Sequence, residues 1–178
     1  MTTTTLTEQV SALLNENASM LPADMATTLG VSEGEAVRAM PADYQTWVDG
    51  QYAETVLMQV AEWGGPVTTI VHSGGSIFEV KAPFPKGKIA YGYYNLMGKP
   101  GEMHGHLKLE RMVGIAFVSK PFRGKTTHYI GFFTEQGDSI FKIYLGRDEK
   151  RQLLDHQIEA FNQLKMQLAT PQQTESEQ

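Results

Sequence analysis

The chain has 178 residues and a mass of 19.8 kDa, with 41% hydrophobic and 20% charged residues, a balance that fits one or two ordinary globular domains and excludes wholesale disorder, collagen and coiled coil. It has no cysteine, which removes disulfides, thiolate metal sites, iron–sulfur clusters and cysteine nucleophiles, and leaves histidine, tyrosine and carboxylates to carry any site chemistry. The net charge of −5 hides a division: residues 1–50 hold seven acids against Arg38, whereas residues 81–125 hold nine bases against Glu102 and Glu110, so the middle of the chain is suited to receive an anion.

Leu6, Val10, Leu13 and Leu14 share one helical face, and Thr5/Glu8 and Ser32/Glu35 have capping-box spacing, so three short helices are expected between Leu6 and Met40, closed by Pro41. Val56, Leu57, Val60 and Trp63 predict a fourth helix over 51–63, which Gly64, Gly65 and Pro66 end. The period then changes to two. Strands are expected at 67–72, 76–82, 89–96, 104–110, 111–120, 127–134 and 139–145, joined by Gly, Pro and Lys-rich turns into an antiparallel sheet. Val113–Val118 and Tyr129–Phe133 are apolar on both faces, which predicts central strands covered on both sides by helices, a second sheet or a partner subunit. Leu154, Ile158, Phe161, Leu164 and Leu168 predict a last helix over 147–168, and the remainder, 169–178, has nothing to bury and is expected to be disordered. No segment reaches the roughly 18 apolar residues of a membrane span, and the start MTTTTLTEQV lacks the pattern of a secretion signal, so no membrane insertion and a cytoplasmic location are expected.

Two motifs point to other functions. MATTLGVSEGEAVRAM (25–40) has the spacing of a helix-turn-helix, yet the first 50 residues, which contain it, carry six net negative charges and are poorly suited to approach phosphates, so nucleic acid is not expected as a partner. Gly98, His104, His106 and Glu110 follow the first metal motif of the cupins in part, but Phe117 stands where that motif wants glycine. His128 and His156 read as structural, and neither a nucleophile elbow nor a dinucleotide loop is present.

The unusual segment is IAYGYYNLMGK (89–99). Read as one strand it places Tyr91 and Tyr93 on one face and Tyr94 on the other, just ahead of His104 and His106 and among the surplus cations. Phenol and imidazole donors, apolar walls and lysines suit a flat apolar dianion such as haem, whose iron accepts His or Tyr and whose propionates favour cations.

EWGGPVTTIVH (62–72), FEVKAPFPKGK (78–88), GYYNLMGKPGEMHGHLKLE (92–110) and GFFTEQGDSIFKIYLGRDEKRQLL (131–154), together with the acidic helical front, resemble the haem-utilisation carriers of the HutX/ChuX family over roughly residues 5–165. That resemblance implies an intracellular carrier, not an enzyme, which receives imported haem b and hands it to a haem-degrading enzyme, and a homodimer whose paired sheets complete the fold. By motif it carries the iron-binding tyrosine onto Tyr93, a histidine onto His106 and a more variable one onto His72, with Tyr91 and His104 as further pocket residues. Lys88, Lys99 and Lys108 are propionate partners on charge alone. The expected fold is α+β, with N-terminal helices, a large antiparallel sheet and a C-terminal helix. Residues 1–168 are read as a single carrier domain, with a helical N-terminal part over 5–41 and the sheet with its flanking helices over 51–168. A haem-modifying enzyme is the alternative function, ahead of a cupin-like metal enzyme or a DNA-binding regulator.

Overall fold

The computed structural model describes residues 3–169. Helices α1 (Leu6–Glu16), α2 (Pro22–Leu29) and α3 (Glu33–Arg38) form the N-terminal front. Both expected capping boxes are made: Thr5 and Ser32 each accept from the amide three residues on, and Glu8 and Glu35 reach back to the cap amides. Glu35 is held below the usual carboxylate range by its bonds to the Ser32 backbone and side chain. Gly30, at φ 68°, ends α2 in the left-handed region that glycine adopts without strain.

The sheet begins earlier than the sequence pattern indicates. Strand β1 (Gln45–Asp49) precedes α4 (Ala53–Glu62), and its five residues are too few for a clear alternation to emerge between two turns. It pairs with β7 (Gly114–Phe122), and with β2 (Val67–Ser73), β3 (Ser76–Ala82), β8 (Lys125–Phe133) and β9 (Ser139–Tyr144) it forms an antiparallel sheet in the order β1-β7-β8-β9-β2-β3. A separate three-stranded sheet joins β4 (Gly87–Ala90), β5 (Tyr93–Leu96) and β6 (Gly105–Leu107). The last helix, α5 (Asp155–Ala169), starts later than expected, because residues 147–154 form a loop closed by an isolated bridge between Arg147 and Leu153. The expected disordered tail lies outside the described residues from position 170 onward.

The doubly apolar strands are covered by helices on both faces. Alternation sends Ile115, Phe117, Ile130 and Phe132 to a core shared with Val56, Leu57 and Val60 of α4 and Phe161 and Leu164 of α5. It sends Ala116, Val118, Tyr129 and Phe133 to a second core shared with Val10, Met25, Ala36 and Val37 of the helical front. The six-residue α3 buries Ala36 and Val37 in that core, so the helix-turn-helix spacing in the sequence serves packing. The small sheet rests on the α4/α5 side, where Tyr94 and Leu96 enter the first core. No helix among the described residues is long and apolar enough to cross a membrane.

Candidate functional site

The expected single strand over 89–96 is a hairpin. Tyr91 and Gly92 form its turn at φ 56° and 79°, so Tyr91 does not share a strand face with Tyr93 but stands at the tip, 98% exposed. A tyrosine at positive φ is a strained residue, and Gly92 beside it supplies the second left-handed position of the turn.

The register of β4, β5 and β6 then assembles one outward face. Ala90 lies opposite Tyr93, Lys88 opposite Asn95, and Asn95 opposite His106. Side chains opposite one another across an antiparallel pair share a face, and residues two apart on a strand do as well. Tyr93, Asn95 and His106 are therefore neighbours, with Lys88 at one side. Lys108, just past β6, brings its Nζ to 4.7 Å from the centre of the Tyr93 ring. The Tyr93 and His106 rings meet edge to face at 5.9 Å. Tyr93 is 40% exposed and reachable from solvent, while Tyr94, its neighbour in sequence, is 1% exposed and turned into the core. Burial, reinforced by Glu54, raises the Tyr94 phenol above the usual range, so it stays a neutral packing group.

Asn95 holds this face together. Its Nδ2 lies 3.1, 3.0 and 3.2 Å from the carbonyl oxygens of Lys88, Ala90 and Tyr93, and its Oδ1 lies 2.6 Å from Nδ1 of His106. The residues gave one signal for it: Asn95 stands two positions after Tyr93, on the same face of the strand. His106 also lines an open groove of about 770 Å³ that runs past Lys108, Arg111 and Ile140. His104 sits one residue outside β6 and is exposed. Lys99 lies in the β5–β6 loop, where its amide donates to Glu102, and is not in β4, β5 or β6.

His72 is elsewhere. It lines a more apolar cavity of about 280 Å³ between the start of α2 and the large sheet, along with Ile70, Ile77, Phe122 and Tyr144. Lys120 and Lys142 also border that cavity. Lys120 donates to the carbonyls of Ala18 and Pro121, and burial lowers its pKa. Burial, with Glu33 and Glu79 adding to it, pushes the Tyr144 phenol up to about 12. The structure thus brings Tyr93 and His106 together and places His72 in a different cavity.

The two remaining histidines are structural. His128 Nδ1 is 2.7 Å from Ser119 Oγ, and burial followed by Lys165 and Arg147 holds the ring below the usual imidazole range. His156 Nε2 meets the Gly64 carbonyl at 2.9 Å. Among the described residues no cluster of three His, Asp or Glu could hold a bare metal ion, so the partial cupin motif does not form a metal centre there.

The model for the haem utilisation ChuX/HutX family matches residues 46–164. The chain is 56% identical over 162 residues to the intracellular heme transport protein HutX of Vibrio cholerae, covering 91% of this chain and 83% of that one. Among solved structures, a protein of Erwinia carotovora superposes with a TM-score of 0.84 at 37% identity, covering 93% of this chain and 99% of that one. The heme-binding protein ChuX superposes with a TM-score of 0.81 at 36% identity, covering 89% and 98% respectively.

Proposed function

This chain belongs to the haem utilisation ChuX/HutX family, and from that premise we propose that it is an intracellular haem carrier whose cargo sits against the outer face of the small sheet. The observation that carries the reading is the convergence on that face of a solvent-reachable phenol, an imidazole and two lysines, Tyr93, His106, Lys88 and Lys108. A tyrosinate is a hard anionic donor suited to ferric iron, and the Lys108 ammonium stands beside the Tyr93 ring. Lys88 and Lys108 meet the propionates, and the exposed side chain of Met97 offers apolar contact to the ring edge. His106 is the second iron donor or the group that closes the pocket over it.

Reduction weakens an anionic oxygen–iron bond, and a better ligand on a recipient competes with it, so the carrier holds ferric haem b without trapping it. The recipient is a haem-degrading enzyme of the cytoplasm, and the carrier itself leaves the porphyrin intact. Ile77 and Phe78, both exposed on the edge strand β3, support pairing of two copies into a homodimer.

The test is a spectroscopic titration of the full chain with ferric haem, alongside Tyr93→Phe, His106→Ala and His72→Ala. Saturable binding with a tyrosinate-type spectrum that is lost in Tyr93→Phe is expected. No saturable binding would overturn the carrier reading. A spectrum unchanged in Tyr93→Phe but altered in His72→Ala would move the cargo to the cavity beside α2.

A further inference from the structure

The geometry points to Asn95 as the positioning residue that locks His106 in the Nδ1–H tautomer and so keeps the Nε2 lone pair free for iron; this rests on the reading of His106 as part of the haem site. The orientation of the Asn95 amide is determined by its surroundings. Its nitrogen faces three carbonyl oxygens, those of Lys88, Ala90 and Tyr93. Turning the amide over would set its oxygen against all three acceptors, with no hydrogen between them. The atom that faces His106 is therefore the oxygen, which can only accept.

At 2.6 Å the His106 Nδ1 must then donate. A neutral ring with its proton on Nε2 would place the Nδ1 lone pair against the Oδ1 lone pairs at that distance, which is repulsive. The neutral imidazole consequently carries its proton on Nδ1 and its lone pair on Nε2. A metal-binding histidine needs this division of labour, with one ring nitrogen tied to an acceptor and the other left as donor to the metal. Here the tie lies across the β5–β6 pair, since Asn95 and His106 are register partners. The same amide anchors β4 to β5 near the Tyr91–Gly92 turn, so one side chain sets both the ring of His106 and the strand that presents Tyr93.

The acceptor and donor duties of Asn95 are separable by substitution. Asn95→Leu loses both, whereas Asn95→Asp loses the amide donors and keeps an oxygen facing His106. Long-range proton–nitrogen correlation spectra of the ¹⁵N-labelled full chain without haem, at about pH 8, above the ordinary imidazole range, read the tautomer directly. The wild type is expected to show His106 protonated at Nδ1, Asn95→Asp to retain that pattern, and Asn95→Leu to shift toward protonation at Nε2. Transfer of ferric haem to excess apomyoglobin is expected to be about 10- to 100-fold faster from Asn95→Leu than from the wild type. Protonation at Nε2 in the wild type, or an unchanged tautomer in Asn95→Leu, would overturn the inference. If Asn95→Leu and Asn95→Asp alter the tautomer alike, the amide donors matter and the acceptor role is wrong. Absence of haem binding by a wild type that shows the Nδ1–H form would overturn the carrier reading and leave the assignment of Asn95 standing.

Discussion

Nζ of Lys142 lies 2.7 Å from Oε1 of Glu33, with the two side chains 7% and 10% exposed, so a buried ion pair ties the acidic front to the large sheet across 109 positions of sequence. Such a pair gives up hydration on both sides and is costly to break from one side only. Glu33→Gln or Lys142→Met is expected to lower stability by about 3–5 kcal/mol, whereas replacing both with apolar residues leaves it nearly unchanged. Urea unfolding of the two singles and the double measures this. Equal losses in singles and double would show that packing around the pair, and not the stranded charge, sets the cost.

Alkaline pH should act through Tyr144. Its folded-state pKa of about 12 stands above the ordinary value near 10, so the associated stability is fully present below about pH 10 and is lost as pH rises through about 12. The loss attributable to this phenol is about 3 kcal/mol. Tyr129, whose ring lies 4.8 Å from that of Tyr144, is raised further by burial and deepens the fall. Denaturant midpoints followed from about pH 9 upward should drop more in the wild type than in Tyr144→Phe. Parallel curves for the two proteins would remove Tyr144 as the cause.

Gln157 is a fully buried polar side chain with every role filled. Its Oε1 accepts from the Gly146 amide at 2.7 Å, and its Nε2 donates to the carbonyls of Gly64 and Pro66 at 3.0 Å. Gln157→Leu has similar volume but leaves those backbone groups without partners, and is expected to cost about 3 kcal/mol. Gln157→Glu keeps the acceptor but sets a second oxygen against both carbonyls, and is expected to cost at least as much as leucine. A leucine variant as stable as the wild type would mean that water reaches these groups.

Gly87 is covered by the Tyr94 ring, and a Cβ there would come within 2.2 Å of it. Gly87→Ala is expected to displace Tyr94, costing about 1–3 kcal/mol, and to tilt the hairpin that presents Tyr93. Haem affinity should fall along with stability, although residue 87 is absent from the proposed ligand set. Unchanged affinity in a destabilised variant would show that the outer face holds its geometry independently of the inner one.

Local periodicity determined most of the elements. The capped helices of the front, the doubly apolar β7 and β8 and the Leu/Ile/Phe stripe of α5 follow from nearest-neighbour physics that a chain carries at every position. Strand alternation and the basic surroundings marked the tyrosines of 91–94 and the histidines at 104 and 106 as a group, and the family resemblance singled out Tyr93 and His106 among them. The turn at Tyr91 was not, since apolar alternation runs through Tyr91 and only the pairing of β4 with β5 forces the chain to reverse there. Nor was β1, whose five residues become a strand by pairing with β7. The separation of His72 from His106, the capture of Lys142 by Glu33 and the hold of Asn95 on His106 are long-range relations. Sequence supplies the chemistry of each of these groups, but which groups meet depends on strand register and on what each sheet face packs against, and these are settled only when the whole chain has folded.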